Sequence, residues 1–175
     1  TATLDESEWS RVSAGAIALQ NIKGAINDKP GINITEVVAQ ARKWKFERGI
    51  KILYLDYIQK IKGSNPRATR TEQVTEVVGT LKNLAKELRI PVVALAQVNR
   101  QCEQRPDKRP TSSDIADASE IEKEADVIMA LYRDEVYEDE TPDRGVAELI
   151  LTKNRHGPIG TLRCQFIGKY FQFKD

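Results

Sequence analysis

Three groups of residues in this chain have the type and placing to do chemistry. The first is Asp56, which follows Ile52-Leu53-Tyr54-Leu55, four large apolar residues without alternation. Such a run suits a strand buried on both faces of a sheet. A carboxylate where the strand emerges stands at the edge where open α/β sheets bind ligands. This is the Walker B arrangement, in which an aspartate helps hold Mg²⁺ beside a nucleotide phosphate. Read alone, Lys51 to Gln59 fits better a strand followed by an Asp that starts a turn. The second group is Gln97, at the end of the apolar run Val92-Val93-Ala94-Leu95-Ala96. The third is the basic turn Lys153-Asn154-Arg155-His156-Gly157-Pro158. Lys153 and Arg155 are two apart at a strand end, so their side chains can point the same way. A solvated turn is the plain alternative.

The elements between these groups place them. Val74, Val77, Val78, Leu81, Leu84, Ala85 and Leu88 mark an amphipathic helix that stops before Pro91. Two buried strands joined by a long helix form a βαβ unit, hence a parallel sheet with a right-handed crossover. Asp56 and Gln97 are therefore expected at one sheet edge. Asp126 to Tyr132 reads as a third buried strand. Val146 to Lys153, Gly160 to Ile167 and Tyr170 to Phe173 read as further strands, the last pair antiparallel across Gly168-Lys169. Upstream, Asp5 with Glu8 and Asn33 with Glu36 are helix-capping pairs. Trp9, Val12, Ala16 and Leu19 form one helical stripe, and Val37, Val38, Ala41 and Trp44 another that ends at Gly49. Both tryptophans are expected as core anchors. A short strand is expected near Ala25-Ile26-Asn27, before the Pro30-Gly31 turn. Ser113 to Glu124 should hold one or two short helical turns. Lys60 to Arg70 and Arg100 to Pro110 are polar, basic loops, and the acidic stretch Asp134 to Asp143 reads as a solvated loop without a role.

The 175 residues suffice for one domain with a real core, at 40% hydrophobic and 30% charged residues. The net charge of +1 gives no global basic field, so nucleic acid could be met only by local patches. No run of about 18 apolar residues is present, and Thr1 to Glu6 is no signal peptide. Cys102 and Cys164 belong to no metal or redox spacing, and His156 is the single histidine. Two reduced thiols in a cytoplasmic protein are expected rather than a disulfide or a structural zinc. The chain begins at Thr1 without Met, and a fragment of a longer protein is expected.

The segments Asp56-Tyr57-Ile58-Gln59, Leu81 to Leu88, Pro91 to Arg100, Glu103-Gln104-Arg105, Asp107 to Pro110, Tyr132 to Glu135 and Lys153 to Thr161 resemble the C-terminal motor domain of DnaB-family replicative DNA helicases. The resemblance covers nearly the whole chain. It implies an α/β, incomplete RecA-like P-loop NTPase fold: a parallel central sheet with helices on its faces and an antiparallel C-terminal hairpin. Residues 1–175 would form a single partial domain, with a helical lead-in over 1–50, a βαβ core over 51–135 and C-terminal strands over 146–174. The family implies ATP and Mg²⁺ as cofactors, single-stranded DNA as partner, a homo-hexamer, and a primase and helicase loader as further partners. It makes Asp56 the Walker B residue acting on Mg²⁺ and Gln97 the sensor of the γ-phosphate. Lys153 and Arg155 match the lysine and arginine finger that reach the neighbouring subunit's nucleotide. One DNA loop of the family corresponds to Asp114 to Glu120. This chain departs there, with Ala116 where the family usually has Arg and Ser119 where it has Gly. The carry-over is limited to backbone N–H groups around Asp117, Ala118 and Ser119. Arg105, Lys108, Arg109, Arg67 and Arg70 are alternative phosphate partners.

A phosphate-binding loop, Gly-x-x-x-x-Gly-Lys-[Ser/Thr], does not occur in the 175 residues. Gly168-Lys169 has no glycine five residues earlier and lies in a hairpin. The chain is thus expected to be the later part of a motor domain, and not to bind or hydrolyse ATP tightly alone. Two alternatives stand beside the helicase reading: a non-catalytic truncated or prophage relative, and a RecA-fold ATPase that is no helicase.

Overall fold

The computed structural model describes residues 5–175; the signal-peptide reading of Thr1 to Leu4 falls outside them. Two helices lead in. α1 (Glu6–Gln20) opens on a capping box in which Asp5 accepts from the Glu8 backbone and Glu8 reaches back. α2 (Ile34–Arg48) is capped by Asn33, which accepts from the Glu36 N–H, and ends at Gly49, left-handed at φ 60°. A left-handed cap suits glycine because it has no Cβ to clash. β1 (Leu53–Leu55) follows, then α3 (Arg70–Leu88) and β2 (Val92–Ala94). α3 starts on a Thr69/Glu72 capping box and buries Val74, Val77, Val78, Leu81 and Leu84. Each such side chain contributes roughly 1.5–3 kcal/mol when fully removed from water. Its partners are Ile34, Val37, Ile58, Ile61 and Ile121 in one cluster, and Ala41, Leu53 and Ile90 in a second. After α4 (Ala118–Glu124) come β3 (Val127–Tyr132), β4 (Val146–Asn154), β5 (Gly160–Ile167) and β6 (Gln172–Lys174).

β1 and β2 pair in parallel, Leu53 with Val92 and Leu55 with Ala94, as the βαβ pattern requires. The third strand departs from expectation. β3 does not join the parallel sheet but pairs antiparallel with β4, giving a four-stranded sheet in the order β3-β4-β5-β6. The C-terminal hairpin is therefore one edge of a larger antiparallel sheet. Contrary to the expected strand, no element forms at Ala25 to Asn27. Ile26 there is 94% exposed, and a strand needs a neighbouring edge to satisfy its amides.

Two burial expectations are also corrected. Ile52 to Leu55 is not buried on both faces: Leu53 is buried, while Tyr54 is 68% exposed. β3 likewise buries Ile128 and Tyr132 and leaves Val127, Met129 and Leu131 about half exposed. Trp44 packs against the second cluster, but Trp9 is 57% exposed and α1 buries no residue. Each of these runs has an apolar surface that nothing among the described residues covers.

Candidate functional site

The parallel ladder continues beyond the ends of β1 and β2. The Leu95 N–H donates to the Leu55 carbonyl at 2.9 Å, and the Ile58 N–H donates to the Leu95 carbonyl at 2.9 Å. These bonds carry both chains past the sheet edge side by side, so Asp56 and Gln97 emerge together and exposed. The Asp56–Tyr57 peptide is cis. Among the described residues no three His, Cys, Asp or Glu side chains gather as a metal cage. Asp56 is thus a single exposed carboxylate. One carboxylate, with phosphate oxygens and water completing the shell, is a set that suits Mg²⁺. The Gln97 amide offers both a donor and an acceptor. Asp56 and Gln97 fit one side of a nucleotide–Mg²⁺ site.

The loop from Asp114 to Glu120 is clipped onto the extension of β2. Val98 and Ile115 form an antiparallel bridge. The Ala116 N–H donates to the Gln97 carbonyl at 2.9 Å, and the Asn99 N–H to the Asp114 carbonyl at 2.7 Å. Asp117 is left-handed at φ 62° and opens α4, with Ser119 exposed in its first turn. Arg70 reaches this loop from the start of α3, 3.4 Å from the Asp117 carboxylate. Gln59, to which the sequence alone assigns no role, touches both sides: its side chain accepts from the Gln97 N–H and donates to the Ala116 carbonyl. Its position three residues after Asp56 was the available signal.

The candidate phosphate partners differ in how free they are. Arg105 is engaged by the Asp114 carboxylate through two bonds of 2.9 and 2.7 Å. Arg109 is engaged by Glu148 through bonds of 2.6 and 2.9 Å, with its guanidinium 4.7 Å from the Tyr132 ring. Lys108 lies 5.0 Å from the Tyr137 ring centre. The Arg67 side chain is exposed and has no partner among the described residues. The geometry therefore leaves Arg67 the most available cation, while Arg105 and Arg109 serve ion pairs.

Asp114 is buried, and the Arg105 guanidinium, with help from Thr111, holds its carboxyl down to about 2. A carboxylate depressed in the folded state stabilises above its unfolded pKa of about 4 and loses that contribution as pH falls through its folded value. Asp114→Asn is expected to be less stable than the parent at pH 7. The gap should close as pH falls from about 4 to about 2. Urea-unfolding midpoints across that range check this, and a gap independent of pH would refute it.

Lys153 and Arg155 converge on the C-terminal end of α4. Lys153 Nζ donates to the Glu122 carbonyl, and Arg155 donates to the Lys123 carbonyl at 3.0 Å. The last carbonyls of a helix lack intrahelical donors and carry partial negative charge, so two cations settle there. The Arg155 backbone N–H donates to the Asp126 carbonyl at 2.8 Å, and its guanidinium lies 3.4 Å from the Asp126 carboxylate. That carboxylate is held below its usual range, first by Lys82 and also by Arg155. The two basic side chains do point the same way, beside α4.

Comparison with known proteins fits this arrangement. The whole chain, residues 1–175, matches the family described as DnaB-like helicase C terminal domain. It is 40% identical over 174 residues to the replicative DNA helicase DnaC of Bacillus subtilis (strain 168), covering 99% of this chain and 38% of that protein. It is 43% identical to the replicative DNA helicase DnaB of Haemophilus influenzae, covering 98% of this chain and 37% of that protein. Among solved structures, one isolated ATPase domain superposes with a TM-score of 0.93 at 35% identity, covering 98% of this chain and 61% of that one. A DnaB-like replicative helicase, solved in a study of its interactions with primase, also gives 0.93, at 34% identity and 41% coverage of that chain. The parallel unit with Asp56 and Gln97 at its tip, joined to an antiparallel sheet, has the fold of DnaB-like helicase ATPase domains. The chain belongs to the DnaB-like helicase C-terminal domain family. It spans about two fifths of the length of the curated relatives it matches.

Proposed function

We propose that this chain is the C-terminal motor part of an ATP-driven replicative helicase that translocates on single-stranded DNA and unwinds duplex at the fork. The observation that carries the reading is the family match over all 175 residues, with Asp56 and Gln97 together at one sheet edge. In this reading Asp56 acts on Mg²⁺ and Gln97 contacts the γ-phosphate of ATP. Bound Mg²⁺ would neutralise phosphate charge. Lys153 and Arg155 leave the end of α4 to reach the nucleotide of the adjacent subunit in a hexameric ring. Backbone N–H groups of Asp117, Ala118 and Ser119, with Arg67, Arg70 and Lys108, face the DNA phosphates. Arg105 and Arg109, already bound to carboxylates, contribute less. The assembled protein works in the cytoplasm with a primase and a loader. No helix among the described residues is long and apolar enough to cross a membrane.

A chimera tests this. The matching C-terminal part of Bacillus subtilis DnaC is replaced by this chain, and the hybrid is assayed for ATP hydrolysis and strand separation. Activity of both kinds is expected. A hybrid that forms rings and binds DNA but hydrolyses no ATP would instead favour the non-catalytic alternative, with which Ala116 is compatible. The 175-residue chain alone should show no micromolar site for ATP with Mg²⁺, and micromolar affinity would refute that part of the reading. For DNA, the logarithm of affinity for oligo-dT should fall with the logarithm of salt by about 0.7 per phosphate contacted. Arg67→Ala should flatten that slope by about 0.7. An unchanged slope removes Arg67 from the DNA surface.

A further inference from the structure

The half-buried side chain of Gln59 joins two segments that its backbone does not pair with. Its Oε1 accepts from the Gln97 N–H at 3.2 Å, and its Nε2 donates to the Ala116 carbonyl at 3.3 Å. The Ala116 N–H returns a bond to the Gln97 carbonyl at 2.9 Å. Gln59 therefore bridges one strand tip and one loop with the two ends of a single amide. A side-chain amide offers an acceptor and a donor on one planar head without any change of protonation, and asparagine is one carbon shorter. The Gln59 backbone is anchored in turn: its carbonyl accepts from Arg70 at 3.2 Å, and the same guanidinium approaches Asp117.

We propose that Gln59 is a positioning residue that latches the 114–120 loop to the Gln97 strand tip, so that a shift at either is transmitted to the other. The inference rests on the reading above in one respect: it makes Gln97 the nucleotide-facing end and the loop the DNA-facing end. The latch itself is a property of this chain. A loop held by the two backbone bonds of a single antiparallel bridge can open locally, because exposed hydrogen bonds open at low cost. A side-chain amide that closes the ring of contacts raises that cost. It also gives the loop a discrete closed state, and coupling requires a discrete state that both ends bias.

Two variants separate the two bonds. Gln59→Glu keeps the acceptor for the Gln97 N–H but turns a carboxylate oxygen toward the Ala116 carbonyl. Gln59→Met keeps the length of the side chain and removes both bonds. Amide hydrogen exchange is measured in the 175-residue chain, with the α3 amides of Val77 and Leu84 reporting that each variant is folded. Gln59→Glu should leave the Gln97 amide protected while the Ala116 amide exchanges about tenfold faster. Gln59→Met should speed both by about that factor. If the Ala116 amide is unmoved in both variants, the backbone holds the loop alone and the proposal is overturned. If Gln59→Met does not fold, the contrast between the two amides in Gln59→Glu decides the question.

A second arm follows amide chemical shifts while oligo-dT is added. In the parent chain, shifts at Ala116 and Asp117 should be accompanied by one at Gln97, and Gln59→Met should reduce the Gln97 response while the loop still responds in full. A Gln97 response absent from the parent, or equal in Gln59→Met, overturns the latch and leaves the DNA reading standing. Loop amides that do not respond to DNA overturn the DNA reading, and the exchange contrast then decides the latch by itself.

Discussion

In the DnaC chimera, Arg155→Ala should lower DNA-stimulated ATP hydrolysis by about 10³–10⁵-fold while nucleotide affinity stays within a few fold. The transferring γ-phosphoryl group spreads its charge over three oxygens, and a guanidinium from a neighbouring subunit stabilises that charge only in the transition state. The loss should therefore appear in kcat rather than in KM. The observed position of Arg155 supports such a role. Its guanidinium lies beside the Asp126 carboxylate and the Lys123 carbonyl with 43% of the side chain exposed. Exposed pairs of this kind hold by only about 0–1 kcal/mol, so the side chain is positioned yet cheaply released. Arg155→Lys should not restore the rate, because an ammonium lacks the planar fork of donors. Mixed rings test the action in trans. Subunits carrying Arg155→Ala mixed with subunits carrying Asp56→Asn should recover part of the activity, because some interfaces then pair an intact finger with an intact Mg²⁺ residue. A loss below tenfold, or no recovery on mixing, would remove Arg155 from this role.

Arg109→Ala should destabilise the chain by about 2–3 kcal/mol, a fall in Tm of roughly 5–10 °C. Glu148 lies on β4 opposite Tyr132 and is only 8% exposed. Both of its carboxylate oxygens accept from Arg109. Removing the guanidinium leaves a buried charge without a partner, which costs about 3–5 kcal/mol in a fully enclosed site. Arg109 itself is 40% exposed, so water reaches one side of the pair and the cost is lower. The double variant Arg109→Ala with Glu148→Gln should regain part of the loss, since the orphaned charge is then gone. Thermal unfolding followed by circular dichroism measures both, and a double variant no better than the single one would show that packing on Tyr132 dominates. The functional consequence is direct. Weaker DNA binding by Arg109→Ala cannot be read as a lost phosphate contact unless the variant is shown to be folded under the assay conditions.

Arg109 also illustrates why its role was not legible in the sequence. Arg105, Lys108 and Arg109 stand in a polar, basic stretch, which reads naturally as a surface for phosphates. Their partners, Asp114, Tyr137 and Glu148, lie from 9 to 39 residues away in sequence. No local pattern announces such a pairing. The acidic stretch that reads as a loop without a role is also tied down, since Asp134 accepts from both Tyr132 and Thr141. By contrast, Asp56 and Gln97 were legible as a pair. Two short apolar runs joined by the α3 stripe leave a parallel pairing as the simple solution, and that pairing brings their ends together.

Features of this protein that act over a few residues are legible in the chain itself. The Asp5/Glu8 and Asn33/Glu36 caps, the left-handed Gly49 and the apolar stripe of α3 all follow from local hydrogen bonding and side-chain period. The tertiary structure alone decided which edge β3 joins and that Tyr54 and Trp9 stay exposed. It also decided which cations are already bound and that Gln59 spans the gap between Gln97 and Ala116. The physical reason is the same in each case. An apolar run states that a surface should be covered but not by what, and a charged side chain states that it needs a partner but not which one. Those choices are made by residues far apart in the chain and near in space.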